Sequence, residues 1–540
     1  MTEDVLARLA ALGAAGPVSS TGMAPVEKSR DLTRILNLPR CTGLMDESLE
    51  ASLRAPGGTM VLRDLQLQAL TTLRDNRGLV GLMPVGSGKT LVSALAGTVI
   101  GAKTTLVLTP PGAKRALLKQ TRAAVEGYRA HWNVGNVQVE PYSLLSSQRG
   151  TSLLSTLAPD LIVCDEAHCL KDRTAARTKR FIRYMRERPG TVLVVLSGSL
   201  LARSLMDMAH LAAMCLGEGS PLPLHWPVLN QWAPALDPGG ERSPGALVAL
   251  QKAFGGDSVR AAFRRRFVSC PGVVSTDVGS VDIPLTQHTL AIPVVCRKER
   301  AILRGKWELP DGNFIVRAAD FAANAAALHL GYYYQWEWPG GQVDHDWVDA
   351  RSEYNRWVAS FLAHRAVEGL DSPGLLGKAC AEGRLTSSEW TEWARLVGRG
   401  HGPIRRPCYV GSGMVHVLGA IHKVWDHGLI LCNSPHVGAP LAALYGQEYG
   451  ELGPDVCVGS LQGMGVGRND LVRYSRLLML TPTPNPLAWE QAIGRILRPG
   501  QLAPSVELWR LDVYEDKYQR ARDAAQDVQE STGCPQSILL

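Results

Sequence analysis

GLMPVGSGKT, residues Gly81 to Thr90, is the stretch on which the fold turns. An apolar run from Leu79 to Met83 leads into a glycine-containing loop, and a helical pattern follows from Lys89 to Ile100. A strand, loop and helix in that order suit a phosphate ligand. Phosphate oxygens need backbone N–H donors at close range, and Gly86 and Gly88 let the segment Pro84-Val85-Gly86-Ser87-Gly88 curl so that its amides point inward. The start of the helix adds its positive dipole end. Lys89 would set an ammonium on the outer phosphates of ATP, and the Thr90 hydroxyl would sit on Mg²⁺. Met83 occupies the first position of this loop pattern, where Gly or Ala is usual. Taken alone, the stretch could also be a plain turn.

LIVCDEAH, Leu161 to His168, is what the loop needs to make sense. Leu161 to Cys164 read as a fully buried parallel strand. Asp165 then lies at the strand's carboxyl end, where it can hold Mg²⁺. Glu166 can orient and deprotonate a water, and His168 can couple the site to a neighbouring lobe. A solvated acidic loop is the bland alternative, but the order and spacing of the two motifs favour one shared ATP site.

The chain has 540 residues, enough for two to four domains. Its 45% hydrophobic and 20% charged content fits a globular protein. No apolar run approaches the ~18 residues that span a bilayer, and the N-terminus lacks the basic start of a signal peptide. Eleven cysteines without a CxxC pair read as reduced thiols of a cytoplasmic protein. A net charge of +7 permits a polyanionic partner. Arg177, Arg180 and Arg183, at helical spacing after DEAH, are expected on one side of a helix. That side could be merely solvated, or it could track phosphates.

Residues 1–55 read as a leader. Residues 56–296 read as an α/β lobe with a helical protrusion, carrying strands near Leu79–Met83, Thr105–Thr109, Leu161–Asp165 and Thr191–Leu196. A second α/β set occupies 406–540, with strands near Gly428–Cys432, Val456–Ser460, Arg476–Leu480 and Val506–Trp509. The segment 297–405 holds seven of the thirteen tryptophans. A small helical core built on Trp explains that density better than base stacking does, although aromatics beside basic residues can stack bases.

Further segments fall in order. VLRDLQLQAL (Val61 to Leu70) precedes the loop where an adenine-reading amide belongs, with Gln66 supplying it. TLVLTPPGAK ends in a Pro-Pro turn, so Pro110 and Lys114 are candidates for a nucleic-acid backbone. LSGSLLARS supplies Ser197 and Ser199 as coupling hydroxyls. NPLAWEQAIGRILRPGQ (Asn485 to Gln501) carries Gln491, Arg495 and Arg498 at spacings expected to share one helix face. They are either arginine fingers reaching toward ATP or ordinary surface groups.

On these motifs the chain resembles a superfamily 2 DEAH-box helicase of the Swi/Snf-like branch. NP, QA, R..R and GQ of the last segment match that branch without gaps, as do Gly463, Gly465, Val466, Gly467 and Asn469. YYYQWEW…WVDAR is similar to the bacteriophage-encoded type. The resemblance implies two RecA-like parallel-sheet lobes of the P-loop NTPase helicase core, with a mainly helical insertion between them. It implies ATP and Mg²⁺ as ligands, duplex DNA read without regard to sequence as partner, Gly467 as a coupling residue, and a host-cell cytoplasmic setting. An RNA helicase, a non-catalytic DNA-binding scaffold and the motor of a restriction enzyme are the rivals. The coupling motif departs from the family, with Ser197-Gly198-Ser199-Leu200 standing for Thr-Gly-Thr-Pro. Met464, Arg468 and Pro499 also replace usual residues.

Overall fold

The structure is a computed structural model. It describes residues 29–540 apart from 42, 111–115, 148–149, 151, 199–203, 238–239, 241–244, 278, 280, 316, 365–369, 399, 401 and 465–469. Two parallel sheets form its α/β cores, an arrangement compatible with two RecA-like lobes.

The first sheet contains β1 (Leu79–Leu82), β2 (Thr105–Thr109), β3 (Val137–Pro141), β4 (Leu161–Asp165), β5 (Val192–Leu196) and β6 (Val273–Ser275). Their order is β3-β2-β4-β5-β1-β6, all parallel. Side chains alternate faces along a strand, and the core divides by parity. Val80, Leu82, Leu106, Leu108, Ile162 and Val195 pack on one face. Leu79, Val107, Leu161, Val163 and Val194 pack on the other. Because both faces are covered by helices, these strands read as unbroken apolar runs rather than alternating ones.

The first lobe starts earlier than residue 56. Leu32 and Ile35, in the helix Arg30–Asn37, belong to its first core cluster. Leu49 and Leu53, in the helix Glu47–Leu53, belong to the second. The described part of the leader is therefore built into the lobe.

The second sheet contains β7 (Leu285–Leu290), β10 (Gly428–Leu431), β11 (Val456–Gly459), β12 (Arg476–Met479) and β13 (Val506–Leu511), in the order β11-β10-β12-β13-β7. β7 pairs with β13 in parallel from Leu285 to Leu290. The boundary expected at 296/297 thus lies too late. The alternating segment before it is an edge strand of the second sheet, half exposed on one side.

The insertion lies between β7 and β10. It is mainly helical, with a two-stranded antiparallel ribbon of β8 (Tyr332–Glu337) and β9 (Ile404–Tyr409). Tyr332 at the ribbon's root is buried with Val417, Ile430 and Leu478 in the second lobe's core. The helices His345–His364 and Ser388–Val397 are joined by rings. Tyr354 stacks on Trp393 at 6.0 Å, and Trp347 meets Trp393 edge-on at 5.2 Å. Most of the tryptophans accordingly serve a small core, while Trp307 and Trp336 are exposed.

The insertion also grips the first lobe. Arg180 is 3% exposed, and its Nε and Nη2 donate to the two carboxylate oxygens of Asp371 at 2.9 Å each. Its Nη1 donates to the carbonyls of Leu145 and Ser147. Lys179 Nζ donates to Leu362 O at 2.6 Å. Arg183 lies 3.8 Å from Asp371, and Arg177 is half-buried. The expected phosphate-tracking side of Arg177, Arg180 and Arg183 is corrected for two of its members: Arg180 and Arg183 turn to Asp371 of the insertion rather than to solvent. Finally, the helix Glu515–Thr532 leaves the second sheet and packs on the helix Val259–Val268 of the first lobe. Arg260 pairs with Asp527, and Ser275 Oγ donates to Thr532 O at 3.0 Å. No described helix is long and apolar enough to cross a membrane.

Removing one partner of a buried ion pair strands the other charge. Asp371→Ala should therefore cost about 3–5 kcal/mol in urea unfolding, and adding Arg180→Met should recover much of it. An unchanged midpoint for the single variant would count against the clamp.

Candidate active site

In a parallel sheet all carboxyl ends lie on one edge, so the loops after β1, β4 and β5 meet there. After β1 the chain turns through Gly86 and Gly88, at φ 85° and 84°. A Cβ on Gly88 would also lie 2.0 Å from Gln66 Nε2. Lys89, Thr90 and the helix Lys89–Ile100 follow as expected. Lys89 is 8% exposed. Its Nζ donates to Met83 O at 3.1 Å and Pro84 O at 3.4 Å, and it pairs with Glu166 Oε1 at 3.1 Å. Ser87 Oγ donates to Pro84 O. The loop is thus wound around its own lysine.

Gln66 is placed differently from the expected adenine reader. Its Nε2 donates to Ser87 O at 3.2 Å, and its Oε1 accepts from the Arg63 N–H at 3.0 Å. With both ends of the carboxamide used and 4% exposure, Gln66 holds the loop instead of offering an edge to a base. Arg63 Nη1 adds a bond to Gly86 O.

At the end of β4, Asp165 is buried, and its Oδ1 has no hydrogen-bond partner among the described residues. The Tyr142 hydroxyl donates to its backbone oxygen. Burial, and then the neighbouring Glu166 carboxylate, raise the Asp165 carboxyl above its ordinary range. Burial would raise Glu166 too, but the Lys89 ammonium and His168 outweigh it and hold Glu166 low and ionised. Glu166 adopts φ 54°, a left-handed backbone that costs a non-glycine residue roughly 1–2 kcal/mol. The carboxylate is held there from three sides. Lys89 is one, His168 Nδ1 lies 3.3 Å from Oε2, and Ser197 Oγ lies 3.5 Å from it. His168 Nδ1 is 3.4 Å from Ser197 Oγ, so His168 and Ser197 join the same network.

The second lobe closes this edge. Pro84, Val85, Glu166 and Gly198 line a narrow cleft together with Leu487, Glu490, Gln491 and Pro535. A Cβ on Gly494 would lie 2.6 Å from Val85 Cγ1 and 2.9 Å from Glu490 O, so this glycine permits close approach. Gln491, Arg495 and Arg498 do not share a helix face. The helix Pro486–Ile493 ends first, and both arginines stand in the turns that follow. Arg495 is nevertheless 9% exposed, with Nε lacking a hydrogen-bond partner among the described residues. Burial and then Arg498 push its pKa down to about 10, while Glu166 opposes the shift. It remains a cation at neutral pH, facing the Glu166 carboxylate. Arg498 is also lowered by burial.

No protein-family model matches the chain, and no curated protein matches it.

Ser199, Gly467 and Lys114 lie outside the described residues, as do Gly465, Val466 and Asn469. Pro110 is half-buried just past β2. Sequence reasoning missed Gly494, Glu490 and Pro535. A buried carboxylate in the apolar run around Trp489 was the available signal for Glu490, whereas nothing local marks Pro535. Chemically, the edge combines a cationic loop with a charge-held carboxylate and a buried, underused one, and adds cations from a second lobe. Among the described residues no cluster of three or more His, Cys, Asp or Glu could cage a metal. The orphaned, buried Asp165 Oδ1 could hold Mg²⁺, which takes one or two protein oxygens and completes its shell from water and phosphate.

Gly494→Ala should be overpacked against Val85 and the Glu490 carbonyl, costing about 1–3 kcal/mol in denaturant midpoint. Val85→Ala in the same chain should return part of it. Full tolerance of Gly494→Ala would mean the two lobes do not meet there.

Proposed function

We propose that this chain is an ATP-driven motor on nucleic acid, with duplex DNA as its track. The observation that carries the reading is the Lys89–Glu166 pair at 3.1 Å, beside the buried Asp165 and within electrostatic reach of the buried Arg495 of the second lobe. In this reading a triphosphate competes with Glu166 and the Met83 and Pro84 carbonyls for the Lys89 ammonium. Once Lys89 turns to the phosphates, Glu166 is free to orient a water and accept its proton. His168 and Ser197 keep the carboxylate aimed and report its state to the second lobe. Asp165 and Thr90 would hold Mg²⁺, whose charge offsets that of the phosphate oxygens. Arg495 presents a guanidinium where charge develops on the transferred phosphoryl group. Arg498 is assigned the same role from the second lobe, and Gln491 lines the nucleotide cleft.

The DNA partner rests on the resemblance to Swi/Snf-like motors and on the net charge of +7. Arg180 no longer contributes to it, because the insertion occupies that side chain.

The deciding measurement is ATP turnover with no nucleic acid, single-stranded DNA, duplex DNA and RNA. Duplex DNA should stimulate most, and the effect should fall steeply with salt as neutralised phosphates release counterions. Best stimulation by RNA would favour an RNA helicase. A folded chain with no turnover on any of the four would favour a binding scaffold.

Four variants test the site. Lys89→Ala should abolish turnover, and Glu166→Gln should retain nucleotide binding but hydrolyse about 10²–10⁴-fold more slowly. Arg495→Ala and Arg498→Ala should lower turnover far more than nucleotide affinity. Wild-type turnover in a folded Lys89→Ala chain would overturn the assignment.

A further inference from the structure

The segment that follows the last long helix enters the cleft. The helix Glu515–Thr532 ends at Gly533, at φ 77°, where a Cβ would lie 2.6 Å from Arg264 Nε of the first lobe. Cys534 is fully buried and Gln536 is 2% exposed. Pro535 lines the cleft itself, opposite Pro84, Val85, Glu166 and Gly198. The Cys534 thiol is pushed up to about 12 by burial, with Glu490 adding to the shift and Lys89 opposing it. The backbone at Cys534 and Pro535 therefore lies beside the loop that would receive the phosphates.

The segment is tied down from the second lobe. Glu490, one residue before Gln491, is 7% exposed, and its Oε1 accepts from the Ile538 N–H at 3.1 Å. Ile538 is fully buried with Trp489, Ile493 and Tyr518, and its carbonyl accepts from Gln287 Nε2 of β7. Gln536 folds the turn on itself, with its N–H donating to Gln529 Oε1 and its Nε2 to the carbonyls of Cys534 and Pro535. The remaining cleft, about 10 Å³, falls far below the ~300–1,000 Å³ of sites that hold a drug-sized ligand.

We propose that residues 533–540 form a gate over the nucleotide cleft, held shut by Glu490 and displaced when a nucleotide binds. This rests on the ATP-site reading above. The gate puts a chain segment in the space between Glu166 and Gln491, so nucleotide binds only to the fraction of molecules in which it has swung out. Apparent affinity is lowered by that fraction.

Hydrogen exchange on the full chain tests the gate, with and without Mg-AMP-PNP. A fluorescent ATP analogue measures binding to the same chain, to Lys89→Ala and to a chain ending at Gly533. Nucleotide should speed exchange at the Cys534 and Ile538 amides. The shortened chain should bind the analogue at least about threefold more tightly, in line with removal of the closed fraction. If the full chain binds nucleotide through Lys89 while exchange at 534 and 538 is unchanged or slowed, the gate is wrong and the site stands. If neither the full nor the shortened, folded chain binds, the site reading falls and the gate with it. Should the shortened chain fail to fold, exchange on the full chain still decides.

Discussion

A lysine and a glutamate from distant parts of the chain meet because two buried parallel strands end on the same edge. Lys89 follows β1, and Glu166 follows β4, with β5 between them. The pair depends on both strands being covered on each face, because a slip of one residue would turn Asp165 and its neighbours to opposite sides. The hydroxyl of Ser197, just past the intervening strand, lands against the same carboxylate for the same reason. Much of the site is therefore a consequence of sheet order, with the loops adding curvature and charge.

The central strands of both sheets were legible because burial on two faces leaves continuous apolar runs such as Leu161–Cys164 and Val192–Leu196. The Lys89–Ile100 helix was legible from its loop and its pattern. β7 was not, because an edge strand packed on one side mixes polar and apolar residues, as LTQHTL does. The turn at Gly494 was hidden too. Spacings of three and four in QAIGRILR suit a continuing helix, yet the helix stops at Ile493 and Gly494, which lies close to Val85 of the other lobe, caps it. Arg180 shows the same limit from the other side. Its spacing on the helix was right, but whether a face meets solvent or Asp371 depends on residues far along the chain.

The same distinction separates site residues whose chemistry is local from those set by distant partners. Loop and DEAH chemistry is local, so Lys89, Asp165 and Glu166 declare themselves by type and order. Gln66, Glu490 and Pro535 act through partners that local sequence does not name. Gln66 is the clearest case. Its carboxamide could serve a base edge, yet it donates to the carbonyls of Ser87 and Gly88 in the tight loop.

The two lobes are joined at several places among the described residues: the connection from β6 to β7, the Arg180–Asp371 clamp of the insertion, and the contact of Asp527 and Thr532 with Arg260 and Ser275. A body fixed to another at one point keeps three rotations, and at two points only one. A third point off that line removes the last. Each joint that stays engaged therefore restricts how the lobes can turn against each other, and releasing one restores an axis of motion. Whichever joint is weakest then chooses the axis, which runs through those that remain.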